Sequence, residues 1–310
     1  MTMCSPAQES SIWLVLLAGL AWLGNALYAL GAPGGPVKHL SPAIVAVAML
    51  AFVYRHGVRR YGGAMMLRFV VTVFAVGWLF ETLSIFTGIP FGRYHYTDLM
   101  APFLGHVPIF VLPAYLVMGY ASWSLATLIL DGRTAGLSVE GARRVPLLAA
   151  FLMVLWDLSM DPLRATIEGR WIWIDGGSYF GVPLSNYLGW FLITWIMFQG
   201  FAWQLARIRP LRAPDLAEDR GYWLSVPLAY AAFAGEYLLN PFTGNGRMQE
   251  ALGETGASPQ DIFASVAAIT LCTLIPAMVL GLVAALRGAD RIGPPFSARL
   301  GLTSARRPER

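Results

Sequence analysis

Four acidic residues stand at the ends of stretches that are otherwise apolar: Glu81, Asp157, Asp161 and Glu236. A carboxyl group held away from water favours its neutral form, which can donate a proton to a substrate. Two such groups in one cavity, with different surroundings, could divide into a proton donor and a proton acceptor. These residues therefore point to acid–base chemistry.

Asp157 and Asp161 are four residues apart, which places both on one face of a helix. Pro162 follows directly, and because the residue before a proline avoids the α-helical region, we expect the helix to end at Asp161. Both carboxyl groups should then reach the same cavity. The alternative is a purely structural pair that binds Arg164 or backbone amides.

Aromatic residues are dense beside these acids, with six in the twenty residues Trp171–Trp190. They could form an interfacial aromatic belt, which suits Trp190 and Trp171. They could instead line a pocket that holds a polyene or stabilises a cation, worth up to about 2 kcal/mol per desolvated contact. Glu81 and Glu236 could be hydrogen-bonded struts, and Asp175 is expected to form a turn.

The elements that carry these residues are membrane helices. Charged residues make up 13% of the 310-residue chain and hydrophobic residues 56%, which excludes a soluble, disordered or coiled-coil protein. Four uncharged runs exceed the length of about 20 residues that spans a bilayer. The sequence predicts an all-α, polytopic membrane helical bundle of about eight helices. They cover roughly 11–31, 40–55, 65–87, 107–130, 145–161, 186–206, 222–240 and 262–286.

The basic residues orient this bundle. Of the 22 Lys and Arg residues, 17 fall on one side of the predicted membrane, which makes that side and both termini cytoplasmic. We expect one transmembrane bundle over 1–290 and a basic, disordered cytoplasmic tail over 291–310. Counted along their helices at about 1.5 Å per residue, the four acids lie in the extracytoplasmic half of the cell membrane.

The sequence lacks the residues that several kinds of membrane-protein site require. The four histidines, His39, His56, His95 and His106, form no closely spaced pair, which disfavours a di-iron oxygenase. The only lysine, Lys38, lies in a predicted loop, which excludes a retinal Schiff base within a helix. No phosphate-binding loop, dinucleotide fingerprint or aspartate-rich magnesium motif occurs. The basic residues are too scattered for a nucleic-acid site. We therefore predict no metal and no cofactor.

Four segments resemble the carotenoid biosynthesis membrane proteins that hydrate acyclic carotenoid ends. This family includes the 1′,2′-hydratases of γ-carotene-type substrates and the bisanhydrobacterioruberin hydratases. The resemblance covers roughly 65–245. It is carried by Glu81 with TGIPFGRYHY (Thr87–Tyr96), DLSMDP (Asp157–Pro162), WIWIDGGSYFGVPLSNYLGW (Trp171–Trp190) and, more loosely, Asn240–Pro241.

The resemblance implies the addition of water to the terminal 1,2 double bond of a ψ end group, without metal or molecular oxygen. A protonated carboxyl group would deliver a proton to C2, and water would add to the tertiary cation at C1. We assign Asp161 as proton donor, with Asp157 and Glu81 as base or water holders. The expected substrate-binding residues are Phe91, Tyr94, Trp173, Tyr179, Phe180, Asn186, Glu236 and Asn240.

The implied partners are an acyclic-end carotenoid, water and membrane lipid, with downstream carotenoid-modifying enzymes as further candidates. Three alternatives stay open. A carotenoid cyclase or isomerase would use the same protonation, and a carotenoid-binding subunit would need no catalysis. A proton-coupled transporter would need a polar path through the cytoplasmic half, where the sequence suggests only apolar residues and an arginine fringe.

Overall fold

The computed structural model describes residues 6–207, 214–243 and 256–287, and it is 77% helical. The predicted fold class, an all-α membrane bundle, is confirmed. Within these ranges, six helices are long and apolar enough to cross a membrane. They are Ser11–Leu30, Pro36–Tyr61, Gly63–Thr87, Val111–Asp131, Gly141–Ile167 and Pro259–Leu286. The predicted tail 291–310 lies outside the described residues, and the extent of the single bundle stays a prediction.

The α-helices follow one another along the chain with short connections. They are α1 (Pro6–Leu30), α2 (Pro36–Tyr61), α3 (Gly63–Thr87), α4 (Val111–Asp131), α5 (Gly141–Asp161), α6 (Leu184–Ala206), α7 (Pro214–Glu218), α8 (Arg220–Tyr230), α9 (Ala234–Leu239), α10 (Pro259–Cys272) and α11 (Leu274–Leu286). Helix α4 packs against α2, α3, α5, α8 and α11. With 83% of its spanning stretch buried, against 28% in α3, α4 lies at the centre of the bundle.

The other two predicted spans are also helical, but neither is among the six long apolar helices. Helix α6 covers one of them, and Gln, Asn and Trp residues lower its mean hydropathy. The span predicted at 222–240 is broken into α8, a 3₁₀ turn at Ala231–Phe233 and α9. Pro227 lies one turn before this break and removes a backbone donor. The count of eight spans stays a prediction.

Helices α2 and α3 follow each other along the chain almost without a connection, which corrects the loop predicted between residues 55 and 65. Helix α2 continues to Tyr61, and α3 begins at Gly63, so Gly62 alone makes the turn, with φ of 78°. This positive φ is readily adopted only by glycine. Arg59 and Arg60 therefore lie in the last turn of α2, where positive charge is favourable at a helix C-terminus.

The end of the bundle around Gly62 also contains buried polar side chains. His56 is fully buried, and its Nδ1 lies 2.7 Å from the hydroxyl of Tyr120. Arg60 is buried over the ring of Trp223. The expectation that the cytoplasmic half offers only apolar residues and an arginine fringe is wrong. The argument against a transporter that rested on it no longer holds.

The α-helix α5 ends at Asp161, as predicted from Pro162, but the chain does not leave the helical path there. Asp161 and Pro162 both keep helical backbone angles, and the chain continues as a π-helix over Pro162–Ile167. The N–H of Glu168 bonds to the carbonyl of Leu163, five residues back. This wider turn accommodates the proline and continues the helical path of the chain, and such π turns are frequent at functional sites.

Two loops at the other end of the bundle are joined by a small sheet that the sequence analysis did not predict. Strand β1 (Tyr94–Tyr96) pairs antiparallel with β4 (Trp171–Trp173), and Tyr94 faces Trp173 across the ladder. A second pair joins β2 (Phe103–Leu104) to β3 (Val107–Pro108) just before α4. The first sheet fixes the segments after α3 and α5 against each other, beside the four acids.

Candidate active site

A cavity of about 530 Å³ lies at the end of the bundle that carries the β1–β4 sheet. Its wall is built by α1 to α6, by both strands of the sheet and by α9. The volume falls in the range of small-molecule sites, about 300–1,000 Å³. All four unusual acids line it: Glu81, Asp157, Asp161 and Glu236. The structure therefore brings together acids that are up to 155 residues apart in the sequence.

Asp157 and Asp161 are linked through one amide. The Nδ2 of Asn186 donates to Oδ2 of Asp157 at 2.9 Å and to Oδ2 of Asp161 at 2.7 Å. All three side chains are buried. An amide nitrogen carries two hydrogens, so both bonds can form at once. Asn186 lies in the first turn of α6 without capping it, because the N-cap is Pro183.

Strand β4 supplies two indole donors to Asp161. The Nε1 atoms of Trp171 and Trp173 lie 2.9 Å and 3.5 Å from Oδ1 of Asp161. Alternate residues of a strand point to the same face, so this strand presents both rings to one carboxyl group. The assignment of Trp171 to an interfacial belt is therefore wrong.

Strand β1 serves Glu81 in the same way. Tyr94 and Tyr96, two residues apart, both donate to Oε2 of Glu81, the second at 2.9 Å. Tyr115 of α4 donates to Oε1 at 2.7 Å. Glu81 is 3% exposed, so these neutral hydroxyls replace water around it. We call Glu81, Asp157 and Asp161 the acid cluster.

Aromatic rings line the cavity next to the acid cluster. Trp190 stacks on Tyr115 with ring centroids 4.5 Å apart, and Phe91 and Trp156 each lie 6.1 Å from Trp190. Trp190 is buried, so its assignment to an interfacial belt is also wrong. The wall can hold an apolar ligand and stabilise a positive charge through the ring faces.

Glu236 lies in a different setting within the same cavity. Arg164 bonds through Nη2 to Oε2 of Glu236 and through Nη1 to Oε1 of Glu168, each at 2.5 Å. Arg170 bonds to the other oxygen of Glu168 at 2.6 Å, and Tyr28 donates to Glu168. We call Arg164, Glu168, Arg170 and Glu236 the ion-pair network. The alternative in which the Asp157–Asp161 pair binds Arg164 is therefore wrong.

Three predicted substrate-binding residues lie outside the lining of this cavity. Tyr179 donates to the carbonyl of Leu158 at 3.0 Å, and Phe180 occupies a turn with φ of 51°. Asn240 begins the 3₁₀ turn after α9, and its carbonyl accepts from Thr243. Of the other predicted residues, Phe91, Tyr94, Trp173, Asn186 and Glu236 all line it.

The cavity opens sideways between α2 and α4. On that side the lining residues are exposed, and along α2 they recur at helical spacing. They are Pro42, Ala43, Ala46 and Leu50 of α2, Leu99 and Ala101 before α4, and Phe110 and Ala114 at its start. Helices α2 and α4, which border this opening, are both apolar enough to cross a membrane.

A family model described as carotenoid biosynthesis protein matches residues 40–245, which include both partners of the sheet and all four acids. The chain belongs to this family. It is a multi-pass membrane protein. The family region also contains most of α2 and all of α3 to α6, so it covers most of the cavity wall.

A bisanhydrobacterioruberin hydratase from Haloarcula japonica is 32% identical to this family member over 185 residues. The alignment covers 56% of this chain and 58% of that relative. No solved structure matches the chain. Within the described ranges, no group of three or more His, Cys, Asp or Glu side chains is placed to hold a metal ion.

The sequence analysis missed several residues that touch the site. Tyr115 and Trp156 lie in long apolar stretches, where an aromatic residue resembles ordinary core. Tyr96 stands in the segment GRYHY, and its spacing of two from Tyr94 was the available signal for a shared strand face. Tyr237 directly follows Glu236, and nothing in the sequence separates it from other buried tyrosines.

Proposed function

We propose that this protein is a carotenoid hydratase, a cofactor-independent hydro-lyase. It adds water across the terminal 1,2 (1′,2′) double bond of an acyclic ψ end group and produces a tertiary 1-hydroxyl. Membership of the family and the name of the Haloarcula japonica relative support this class of reaction. The observation that carries the proposal is a pair of buried acids, bridged by one amide, in an aromatic cavity that opens between two helices apolar enough to cross a membrane.

Asp161 is the proton donor in this mechanism. Its carboxyl group transfers a proton to C2 of the substrate, the electrons of the double bond form the new C–H bond, and a tertiary cation remains at C1. Asn186, Trp171 and Trp173 donate hydrogen bonds to both oxygens of Asp161. These donors stabilise the carboxylate that forms as the proton leaves.

Asp157 completes the reaction as base. Water bonds to C1 through its oxygen and gives its surplus proton to Asp157, which yields the neutral alcohol. Return of that proton from Asp157 to Asp161, four residues away on the same helix face, restores the enzyme. The alkene and one water are consumed for each alcohol formed.

The cavity wall suits the cation and the rest of the substrate. The ring faces of Phe91, Trp173 and Trp190 line the same space, and a desolvated cation over such a face gains about 2 kcal/mol. A cavity of about 530 Å³ accommodates an end group and part of a polyene. The remainder of a long carotenoid would pass between α2 and α4 into the lipid.

The excess of basic residues on the opposite side supports a site in the extracytoplasmic half of the cell membrane. Lipid and the acyclic carotenoid are then the immediate partners. A tertiary alcohol leaves through the same lateral opening, where downstream carotenoid-modifying enzymes could receive it.

The test is to express the gene in cells that make an acyclic-ended carotenoid and to extract the pigment. We expect a mass gain of one water, with heavy oxygen incorporated from labelled water and none from labelled molecular oxygen. Label from molecular oxygen would refute the mechanism. An unchanged mass with a shifted spectrum would indicate a cyclase or isomerase, and unchanged pigment would favour a binding or transport protein.

A further inference from the structure

Three buried side chains in the cavity wall have polar atoms without a protein partner among the described residues. These atoms are Oδ1 of Asp157, Nε1 of Trp156 and the hydroxyl of Tyr237. The three residues are 0%, 5% and 0% exposed. Buried polar atoms in folded proteins nearly always have a hydrogen-bond partner, and a hydrocarbon substrate cannot supply one.

The three atoms belong to neighbouring side chains. Trp156 and Asp157 are consecutive in α5, and the side chain of Tyr237 in α9 lies near Asp157. The indole N–H of Trp156 also lies close to the hydroxyl of Tyr237 without forming a well-aligned hydrogen bond to it, which leaves the hydrogen of that hydroxyl free to donate. Asn186 holds the other oxygen of Asp157, which leaves Oδ1 as the available acceptor. The set comprises one acceptor, one donor and one hydroxyl that can do either, which matches a water molecule with two to four hydrogen bonds.

We propose that Asp157, Trp156 and Tyr237 hold the water molecule that adds to the substrate cation. This inference rests on the proposed hydration and adds two residues to it. Asp157 accepts the surplus proton at Oδ1, while Trp156 and Tyr237 position the water oxygen for bond formation with C1. Trp156 also contacts Trp190, so the water lies at the edge of the aromatic wall that faces the cation.

Protonation and water capture can be measured separately in deuterium oxide. In the unmodified protein, each captured cation yields an alcohol with one deuterium at C2, and recovered substrate stays unlabelled. A cation that is formed but not captured loses a proton and returns to an alkene. Deuterium in recovered substrate or in an isomeric alkene therefore reports protonation without capture.

The variants Tyr237→Phe and Trp156→Phe remove one donor each and keep an aromatic ring. We expect alcohol formation to fall about tenfold in each, the effect of one hydrogen bond to a reacting group. Deuterium in recovered alkene should rise at the same time, because Asp161 still protonates the substrate. Asp161→Asn should form neither alcohol nor deuterated alkene.

Tyr230→Phe is the matched control. Tyr230 does not line the cavity, and it is buried with a hydroxyl that donates to the carbonyl oxygen of Leu152 at 2.9 Å. Removal of this hydroxyl should change neither alcohol formation nor deuterium in recovered alkene. Protein amount in the membrane is measured for every variant, so that loss of folding is recognised.

Two outcomes would overturn the water site. Normal alcohol formation in both Tyr237→Phe and Trp156→Phe would show that these atoms do not hold the reacting water. Loss of alcohol without any rise of deuterium in recovered alkene, at normal protein levels, would place the residues in protonation or substrate binding. Failure of the unmodified protein to form any alcohol would instead refute the hydratase proposal itself.

Discussion

Two groups of acids lie at the cavity, and the hydrogen-bond partners of the two groups differ in charge. In the ion-pair network, Glu236 and Glu168 each contact the guanidinium of Arg164. In the acid cluster, the partners are phenol, indole and amide groups, and no Lys, Arg or His of the described residues lies within ion-pair distance. The two groups share one wall but differ in the charge of what they face.

Because their partners differ in charge, the ion-pair network and the acid cluster suit different roles. A guanidinium keeps its charge at any accessible pH and favours the ionised form of a carboxylate beside it. Burial alone would raise the pKa of Glu168, yet Arg164 and Arg170 hold that pKa below its ordinary value. Neutral donors leave a carboxyl group free to gain or lose a proton, which acid–base catalysis requires. The ion-pair network therefore fixes the fold, and the acid cluster is suited to the reaction.

The largest expected effect is that of Asp161→Asn on turnover. Loss of the proton donor should lower hydration by about 10²- to 10⁴-fold, while thermal unfolding in detergent stays near that of the unmodified protein. Pigment extraction measures the product, and an immunoblot of the membrane fraction measures the protein. Near-normal turnover would remove Asp161 from the mechanism.

The ion-pair network should respond in the reverse way. Arg164→Met leaves the buried carboxylate of Glu236 without its cation, while Glu168 keeps Arg170. Breaking a buried pair costs about 3–5 kcal/mol of stability. We expect a lower unfolding temperature and less protein in the membrane, with residual turnover per folded molecule. If Arg164→Met unfolded normally but lost hydration, the distinction between the two groups would be wrong.

A bulky residue at the lateral opening should slow access to both groups. Ala46 lines the cavity, whereas its neighbour Val47 is 69% exposed and does not. Ala46→Trp should reduce hydration of a full-length carotenoid at least about tenfold, and Val47→Trp on the lipid side is the matched control. Competition with a short analogue of the end group measures the difference. Equal effects of the two variants would indicate another route.

The smallest effect is expected outside the cavity. Arg93 donates to Asp175 at 2.8 Å, and this hydrogen bond holds the pKa of the exposed Asp175 carboxyl below its ordinary value. Its contribution to stability is present above the unfolded pKa of about 3.9 and is lost as the pH falls through the lower folded pKa. Asp175→Asn should leave turnover unchanged. Any small shift in thermal unfolding at neutral pH should disappear in acid, as unfolding scans across pH would show.

Much of this protein could be predicted from local pattern. The long uncharged runs require membrane helices whatever their neighbours, because a bilayer leaves backbone groups no other partner. The spacing of Asp157 and Asp161 places them on one helix face, and Asn186 indeed reaches both. Their positions in otherwise apolar stretches marked Glu81 and Glu236 as unusual before any packing was known.

The tertiary structure alone decided which partner each acid received. Arg164 lies three residues from Asp161 but pairs with Glu236, 72 residues away, because the π-helix turns its side chain towards α9. Trp171 and Trp173 reach Asp161 only because β4 pairs with β1, a contact between segments about 75 residues apart that no local spacing encodes. Sequence periodicity determines the face on which a side chain lies. The packing of distant segments determines whether that face meets a cation or a neutral donor, and hence whether an acid stabilises the fold or can react.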